Sequence, residues 1–556
     1  MSSSKDSLVK GTLILSLAAL VARALGVIQR IPLVALLTMA GMAPFGVAFN
    51  LYSVLLVVAT AGIPSALSKM ISERTALGRY AEADRIYKAA LQFAVGAGIV
   101  MALILWFVAP AFAASSEQPK AVMAIRAIAP ALLLFPVIAI MRGYFQGRRM
   151  MAPNGISQVI EQIFRVVTSV ALAYLLLGRG LEYAVAGASF GGVVGGVAAL
   201  AVMLYYGRKL RRQDQQERDG SPVPPEQKAA AAALTAGSVY RQLFRLSVPI
   251  VIFSVTVTLV YLIDSWLATP LLKEAMGVED AGRVLGILTG QAQSLAGIPI
   301  ILAVALSQSV VPIISSAFAQ NDMKQVSEQT GKVLQLSILT GLPVVLVIAL
   351  AARPLNFFIF ENEAGTLIDD RFAPGVIAAL TITAIFQIVM QTSGAVLMGM
   401  GRMKPLMAGV GIGIAVKLAA SFFLAPLLGI YGLVAATALC FIVMAAINLS
   451  VLRGAVAYRV FSPQRWMGLV VSTAAVAGVG IALDVFCRDN LNPFGILRAD
   501  SFLQAAVVCA VTGTAYILLL FLTRVMTLQD LDRMPGPLRK LAKPLQRRFG
   551  RAGQNG

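Results

Sequence analysis

Histidine is absent from this sequence of 556 residues, and cysteine occurs only three times. Without histidine, the chain cannot build a Ser-His triad, a histidine general base or a histidine-ligated metal site. Cys440, Cys487 and Cys509 show no paired spacing, so we expect buried thiols rather than a disulfide framework. No glycine-rich phosphate loop or acidic glycosyltransferase cluster stands in the sequence. These absences argue against an enzyme, and we expect neither a cofactor nor a bound metal.

Charged residues are also scarce, at 13% of the chain, whereas 58% of the residues are hydrophobic and the mean hydropathy is +0.81. A helix needs roughly 20 apolar residues to cross a bilayer, and runs of that length recur along the chain. They predict an all-α polytopic membrane protein with about 14 transmembrane helices. The first two predicted spans are 8–38 and 45–70, and the eighth is 285–318. Since the first span is long and contains arginines, we expect it to remain as a signal anchor.

The net charge of +20 is explained by topology. With the N-terminus inside, most Lys and Arg residues fall in cytoplasmic loops, as the positive-inside rule requires. We therefore expect a multi-pass protein of the cytoplasmic membrane with both termini in the cytoplasm. Because the charge is spread over many short loops, no nucleic-acid partner is expected.

A polar segment, 208–242, divides the apolar spans into two groups. It predicts an N-terminal lobe of six helices over 1–207 and a C-terminal lobe of six helices over 243–453. Two further helices lie in 454–524, followed by a basic tail, 525–556. The tail is mildly amphipathic, so it predicts contact with anionic membrane lipids, with a solvated tail as the alternative.

The two groups of spans contain a repeat. A shift of 252 residues places Gly147 on Gly399, Pro153 on Pro405, Arg165 on Lys417 and Ser169 on Ser421. A shift of 243 places Ile71 on Ile314. Because equivalent loops lie on the same side, the repeats are parallel, an arrangement that predicts a central cavity between two lobes.

The fifth predicted span carries polar residues at helical three-and-four spacing, so that they share one face: Gln158, Glu161, Gln162, Arg165 and Ser169. At 1.5 Å per residue, Arg165 lies roughly 16 Å inside the membrane. An ionisable group at that depth usually faces a cavity or a partner. The alternative is that Glu161 and Arg165 only neutralise each other and hold helices together.

Arg23, Arg30 and Lys417 also fall at membrane depth. Asp264 falls toward the outer end of the seventh span, so these cations have no acidic partner near mid-membrane. The sequence therefore predicts a positively charged cavity for an anionic substrate, with phosphate or pyrophosphate as the natural match. Snorkelling to the interface is the alternative for Arg30, and Arg142 is interpreted as a topology signal that contacts lipid headgroups.

Three stretches now support a family resemblance: RGYFQGRRMMAPNGISQVIEQIFRV from Arg142, ARALGVIQRIPL from Ala22 and LIDSW from Leu262. They resemble the polysaccharide-transport branch of the multidrug/oligosaccharidyl-lipid/polysaccharide exporter superfamily. Within it, the likeness is to stage V sporulation protein B and the MurJ-type lipid II flippases of spore-forming, Gram-positive bacteria. The resemblance covers nearly the whole chain and implies a MATE/MurJ-like fold with 14 helices.

The resemblance implies a flippase that moves an undecaprenyl-pyrophosphate-linked saccharide, with lipid II as the expected substrate, from the inner to the outer leaflet by alternating access. The family's two helix 1 arginines fall on Arg23 and Arg30, although the spacing here is one residue longer. Better-known MurJ proteins carry an Arg and a Glu in helix 8, where this chain has Gln293 and Ala296. We infer that Arg165 and Lys417 replace the missing arginine.

We therefore predict that the anionic headgroup contacts Arg23, Arg30, Arg165, Lys417, Gln158, Gln162 and Gln293. Glu161 and Asp264 are the candidates for coupling to Na⁺, H⁺ or the membrane potential. The expected state is a monomer, and cell-wall synthesis proteins are candidate partners. Two alternatives remain: a multidrug antiporter for organic cations on the same fold, and a scaffold that recruits cell-wall enzymes through the linker and tail.

Overall fold

The computed structural model describes residues 8–148, 150–217, 234–360 and 367–526, which form helices joined by short turns. The helices, in chain order, are α1 (Leu8–Thr60), α2 (Ile63–Ala76), α3 (Tyr80–Ser115), α4 (Ala121–Ile128), α5 (Ala131–Gly147), α6 (Ala152–Leu177), α7 (Leu181–Glu217), α8 (Ala236–Met276), α9 (Val278–Gly286), α10 (Gln293–Ala319), α11 (Met323–Leu350), α12 (Ala352–Phe360), α13 (Leu367–Gly399), α14 (Met403–Leu428), α15 (Ile430–Ala455), α16 (Pro463–Asn490) and α17 (Leu497–Leu522). A π-helical segment, Ile287–Ala292, joins α9 to α10. Residues 218–233 of the predicted linker and 527–556 of the basic tail lie outside the described residues.

The predicted all-helical membrane class is confirmed. Within the described ranges, 12 helical stretches are long and apolar enough to cross a membrane. The first predicted span and most of the second lie on the single element α1, and the second ends within α2. The eighth corresponds to the end of α9, the π segment and α10. The predicted number of 14 spans stays a prediction. Cys440 and Cys487 are buried and Cys509 is half-buried, and all three thiols are free.

Helix α1 is broken where the first predicted span ends. Thr38 has a φ of 56° and a ψ of 179°, a conformation that a β-branched residue rarely adopts. The chain just after this break packs directly on the π segment and the end of α9. A Cβ atom at Gly286 would collide with the Met39 carbonyl, and one at Gly46 would collide with the Thr289 side chain. Two glycines therefore allow the backbones to approach closely beside the break.

The repeat is visible as the same local packing in two places. A Cβ atom at Gly147 would lie 2.7 Å from the Ile71 Cβ, and one at Gly399 would lie 3.0 Å from the Ile314 Cβ. The turns that follow these two glycines are also equivalent, since Met150 N donates to Phe145 O and Arg402 N donates to Leu397 O, each at 2.9 Å. Both sequence shifts thus pair residues that make equivalent contacts.

The chain divides into two compact units. Unit 1 contains Met1–Ser294, Asn362–Val376 and Leu406–Cys440, and unit 2 contains Leu295–Glu361, Ile377–Pro405 and Phe441–Gly556. These units follow packing rather than the sequence repeat, so the two predicted six-helix lobes stay a prediction. The predicted site residues all lie in unit 1.

Candidate functional site

Helix α6, which carries the polar stripe, is held by close packing against α7. Gly187, Gly191 and Gly195 recur every four residues on α7, the small-residue spacing that lets membrane helices approach. A Cβ atom at Gly195 would lie 2.7 Å from the Glu161 carbonyl oxygen, and one at Gly191 would lie 2.9 Å from that of Arg165. The α7 glycines therefore fix the position of the α6 backbone at its two charged residues. Their four-residue spacing is readable in the sequence, where it is a signal of helix packing separate from the polar stripe.

Glu161 accepts hydrogen bonds from two arginines. Its Oε1 atom lies 2.8 Å from an Arg165 guanidinium nitrogen, and its Oε2 atom lies 3.0 Å from one of Arg142 on α5. The Arg142 Nε atom also donates to the Ser157 hydroxyl at 3.0 Å, and Asn154 Nδ2 donates to the Arg142 carbonyl at 3.0 Å. Helix α5 therefore presents a guanidinium to the Glu161 carboxylate oxygen that does not accept from Arg165. We refer to Arg142, Glu161 and Arg165 as the arginine–glutamate cluster.

The arginine–glutamate cluster is nearly enclosed and carries a net charge of +1. The side chains of Arg142, Glu161 and Arg165 are 17%, 9% and 15% exposed. The Arg165 guanidinium lies over the Phe135 ring, 5.6 Å from its centroid, and its buried Nε atom has no hydrogen-bond partner among the described residues. The buried Tyr52 hydroxyl, whose ring contacts Phe135 edge-on, is likewise unpartnered there. Donor groups thus remain available beside the cluster.

The pairing of Glu161 with Arg165, which the sequence left open as the alternative, is present in the structure. The interpretation of Arg142 as a topology signal that contacts lipid headgroups missed its pairing with Glu161. Arg142 is near the C-terminal end of α5, so its position along the sequence indicated the membrane–water interface. The long guanidinium side chain instead reaches Ser157 and Glu161 on α6. A single carboxylate therefore serves two cations rather than one.

Arg30 has a separate set of contacts. It donates to the Thr289 carbonyl at 3.0 Å and lies over the rings of Phe45 and Phe49, 5.3 Å from each centroid. Thr289 is in the π-helical segment, where the altered hydrogen-bond pattern presents carbonyl groups to other donors. The guanidinium is thus held inside the protein, and the snorkelling alternative does not describe it.

Lys417 and Asp264 form a buried ion pair, so the expectation that Lys417 lacks an acidic partner is wrong. The Lys417 ammonium donates to the Asp264 carboxylate, and the two side chains are 0% and 2% exposed. The sequence placed Asp264 near the outer end of its span. Helix α8 instead continues to Met276, about 18 Å beyond Asp264 at 1.5 Å per residue. The carboxylate is therefore deep enough to reach Lys417.

The remaining predicted residues lie on α1, α6 and α10. Arg23 is on α1, but its side chain is outside the described part of the structure. Gln158 is half-buried on α6, and the buried Gln162 Oε1 atom has no hydrogen-bond partner among the described residues. Gln293 begins α10, and the same holds for its buried Nε2 atom. No group of three metal-ligating side chains occurs within the described ranges.

Residues 8–318 match the family described as polysaccharide biosynthesis protein, and this match covers more than half of the chain. The chain belongs to the polysaccharide biosynthesis protein family. The match includes α1 to α9, the π segment and almost all of α10, and therefore both the arginine–glutamate cluster and the contacts of Arg30. Family membership confirms the branch that the sequence resemblance indicated.

Two proteins of Bacillus subtilis (strain 168) resemble this family member over nearly its full length. The lipid II flippase MurJ is 28% identical, across 96% of this chain and 99% of the relative. Stage V sporulation protein B is 25% identical, across 96% of this chain and 98% of the relative. The solved inward closed conformation of a lipid II flippase MurJ matches with a TM-score of 0.63 at 13% identity, covering 92% of this chain and 100% of that chain. This last similarity shows a shared fold.

Proposed function

We propose that this protein is a flippase that moves a polyprenyl-pyrophosphate-linked saccharide, with lipid II as the preferred candidate, from the inner to the outer leaflet of a bacterial cytoplasmic membrane. Support comes from membership of the polysaccharide biosynthesis family and from the full-length similarity to a lipid II flippase. In this proposal both termini are cytoplasmic, the protein acts as a monomer, and the substrate headgroup enters by alternating access.

The observation that carries the proposal is the sharing of the Glu161 carboxylate by Arg142 and Arg165. A charged side chain inside a membrane costs about 3 kcal/mol or more at the helix centre, so two arginines there need a reason beyond stability. Guanidinium groups offer paired donors in the geometry that phosphate oxygens accept. The net positive charge and the unpartnered Arg165 Nε atom give an anionic group both an electrostatic attraction and a donor.

Glu161 then takes the place of the substrate phosphate as the anion that the two arginines bind. In the absence of substrate its carboxylate neutralises half of the arginine charge, and an arriving pyrophosphate competes with it for the same N–H donors. Binding affinity is thus the difference between two ionic interactions, which favours a multiply charged phosphate over a singly charged anion. When the headgroup leaves, Glu161 restores the original pairs and the arginines are not left without a counter-ion.

Arg142 is a better second cation for the substrate site than Lys417. The sequence has Gln293 where better-known relatives carry a helix 8 arginine, and it suggested Arg165 together with Lys417 as the replacement. Since the Lys417 ammonium is paired with Asp264, Arg142 is the more suitable cation beside Arg165. Arg30 is a third candidate for headgroup contact, because its charge has no carboxylate among its described contacts.

A multidrug antiporter for organic cations is disfavoured by the state of Asp264. That activity requires an accessible carboxylate deep in the membrane, and Asp264 does have the depth. However, it is almost fully buried and is neutralised by the Lys417 ammonium. An organic cation would first have to displace a lysine that is part of the same chain. Drug efflux abolished by Asp264→Asn would support the antiporter instead.

The decisive test measures outer-leaflet lipid II in cells depleted of their own flippase and supplied with variants of this protein. We expect Arg142→Ala and Arg165→Ala to reduce flipping at least tenfold, with Arg179→Ala, an exposed arginine in the α6–α7 turn, as the matched control. Full activity of both cluster variants would refute this substrate site. Reconstitution with defined lipid-linked sugars then identifies which headgroup is moved.

A further inference from the structure

The surroundings of the Lys417 ammonium resemble those of a bound metal cation. Its Nζ atom donates to the Asp264 carboxylate, to the Leu433 carbonyl at 3.0 Å and to the Thr437 hydroxyl at 2.8 Å. These three oxygens match the three N–H donors of a lysine, so each donor has an acceptor. One carboxylate, one carbonyl and one hydroxyl are also the oxygen types that hold alkali cations inside proteins.

The cage made by Asp264, Leu433 and Thr437 is rigid and closed. Lys417 is fully buried. The single Thr437 hydroxyl proton is within hydrogen-bond reach of two acceptors, the other Asp264 oxygen at 3.1 Å and the Leu433 carbonyl at 3.2 Å. Helix α15 approaches α14 closely, because a Cβ atom at Gly432 would collide with the Leu424 carbonyl. Because the Thr437 hydroxyl contacts both other ligands, we expect the cage to persist when the lysine side chain is shortened.

The charge of the cage also matches that of a monovalent cation. The carboxylate contributes one negative charge, the carbonyl and hydroxyl contribute none, and a monovalent cation makes the site neutral. A buried carboxylate without such a partner would be strongly destabilising in this environment. The ammonium group supplies that charge permanently, because it is attached to the α14 backbone and cannot dissociate.

We infer that Lys417 is a tethered cation that occupies a site for a monovalent alkali metal ion, so that the wild-type protein holds no exchangeable ion here. The inference is independent of the transported substrate. It also separates the roles of the two repeated cations: Arg165 faces a shared carboxylate with donors to spare, whereas Lys417 has all its donors satisfied. Cutting the lysine back to a small residue should convert the cage into a real ion site.

The test uses the full-length purified protein in lipid nanodiscs and follows the unfolding temperature against NaCl or KCl, with choline chloride keeping the ionic strength constant. We expect no alkali-specific shift for the wild type. Lys417→Ala removes the ammonium and leaves room for an ion, so Na⁺ or K⁺ should raise its unfolding temperature by about 2 °C or more. Lys417→Met fills the same volume without charge and should show no such shift.

Two further measurements keep the result decisive. The Lys417→Ala/Asp264→Asn double variant should lose the alkali response, because the only charged ligand of the cage is gone. If Lys417→Ala cannot be purified folded, radioactive ²²Na⁺ binding to the wild type and to Asp264→Asn replaces it, and equal, background binding is expected. Saturable ²²Na⁺ binding to the wild type that Asp264→Asn abolishes would overturn the inference, as would a folded Lys417→Ala variant without any alkali response.

Discussion

Glu161 and Arg142 are joined by a hydrogen bond of 3.0 Å although 19 residues separate them in the chain. Because Arg165 donates to the other oxygen of the same carboxylate, the three side chains should behave energetically as one unit. Removing Glu161 leaves two nearly buried guanidinium groups facing each other without a counter-ion. Removing either arginine leaves the remaining pair neutral.

This arrangement predicts an asymmetry in stability. Glu161→Ala should lower the free energy of unfolding by about 3 kcal/mol or more, since like charges are then left unpaired. Arg142→Ala should cost about 1–2 kcal/mol, because a neutral pair of Glu161 and Arg165 survives. Denaturation in detergent, followed by tryptophan fluorescence, measures both. A larger loss of stability in Arg142→Ala than in Glu161→Ala would contradict this prediction. Glu161→Gln removes the charge but keeps the side-chain volume, so it controls for the loss of volume.

The α7 glycines predict a second effect. Gly195→Ala places a Cβ atom 2.7 Å from the Glu161 carbonyl and should force α6 and α7 apart, at a cost of about 1–3 kcal/mol. Gly192→Ala, on the same helix, meets nothing closer than 3.6 Å and should be neutral or slightly stabilising. Unfolding temperatures of the two variants provide the comparison. Equal temperatures would contradict the close packing described for Gly195.

The repeated glycines predict matched behaviour in the two units. Gly147→Ala and Gly399→Ala should both destabilise, with the first effect larger because its Cβ contact is 2.7 Å rather than 3.0 Å. Gly411→Ala, which has open space around it, is the control and should be harmless. Expression level and unfolding temperature report the outcome. If only one of the two repeat positions were sensitive, the local packing would not be equivalent.

At position 30 we expect a positive charge alone to be insufficient for full stability. Lys at this site keeps the positive charge but loses the planar group that lies over Phe45 and Phe49, so Arg30→Lys should lose about 1 kcal/mol of stability. Arg283→Lys, in a half-exposed pair with Glu279, should change little. Unfolding temperatures distinguish the two, and flipping assays on Arg30→Lys show whether the planar group is also needed for transport.

The sequence was sufficient for the fold class, the repeat and the shared polar face of α6, because these depend on hydropathy and on spacing along one helix. The pair of Glu161 and Arg165 was predictable for the same reason, since the two residues are one helical turn apart. The partners from other helices were not. Arg142 and Asp264 reach their partners through the packing of different helices, which spacing along one helix does not show. The α7 glycine spacing is a readable signal for the packing of α6 on α7, but it does not indicate the partner of Arg142 or of Asp264.

The glycine face of α7 has a consequence for reading sequence variants of this protein. The three glycines of this face have no side chain and take part in no ion pair: Gly187, Gly191 and Gly195. Each would therefore look like a harmless position in a membrane helix. Yet a larger residue at Gly191 or Gly195 would meet the backbone of Arg165 or Glu161, and one at Gly187 would meet Leu172 on the same helix. A transport defect mapped to α7 would therefore report on the geometry of α6. A second substitution that makes room on α6, such as Leu176→Ala, which removes the Cδ1 atom 2.8 Å from a Cβ at Gly187, should relieve part of it.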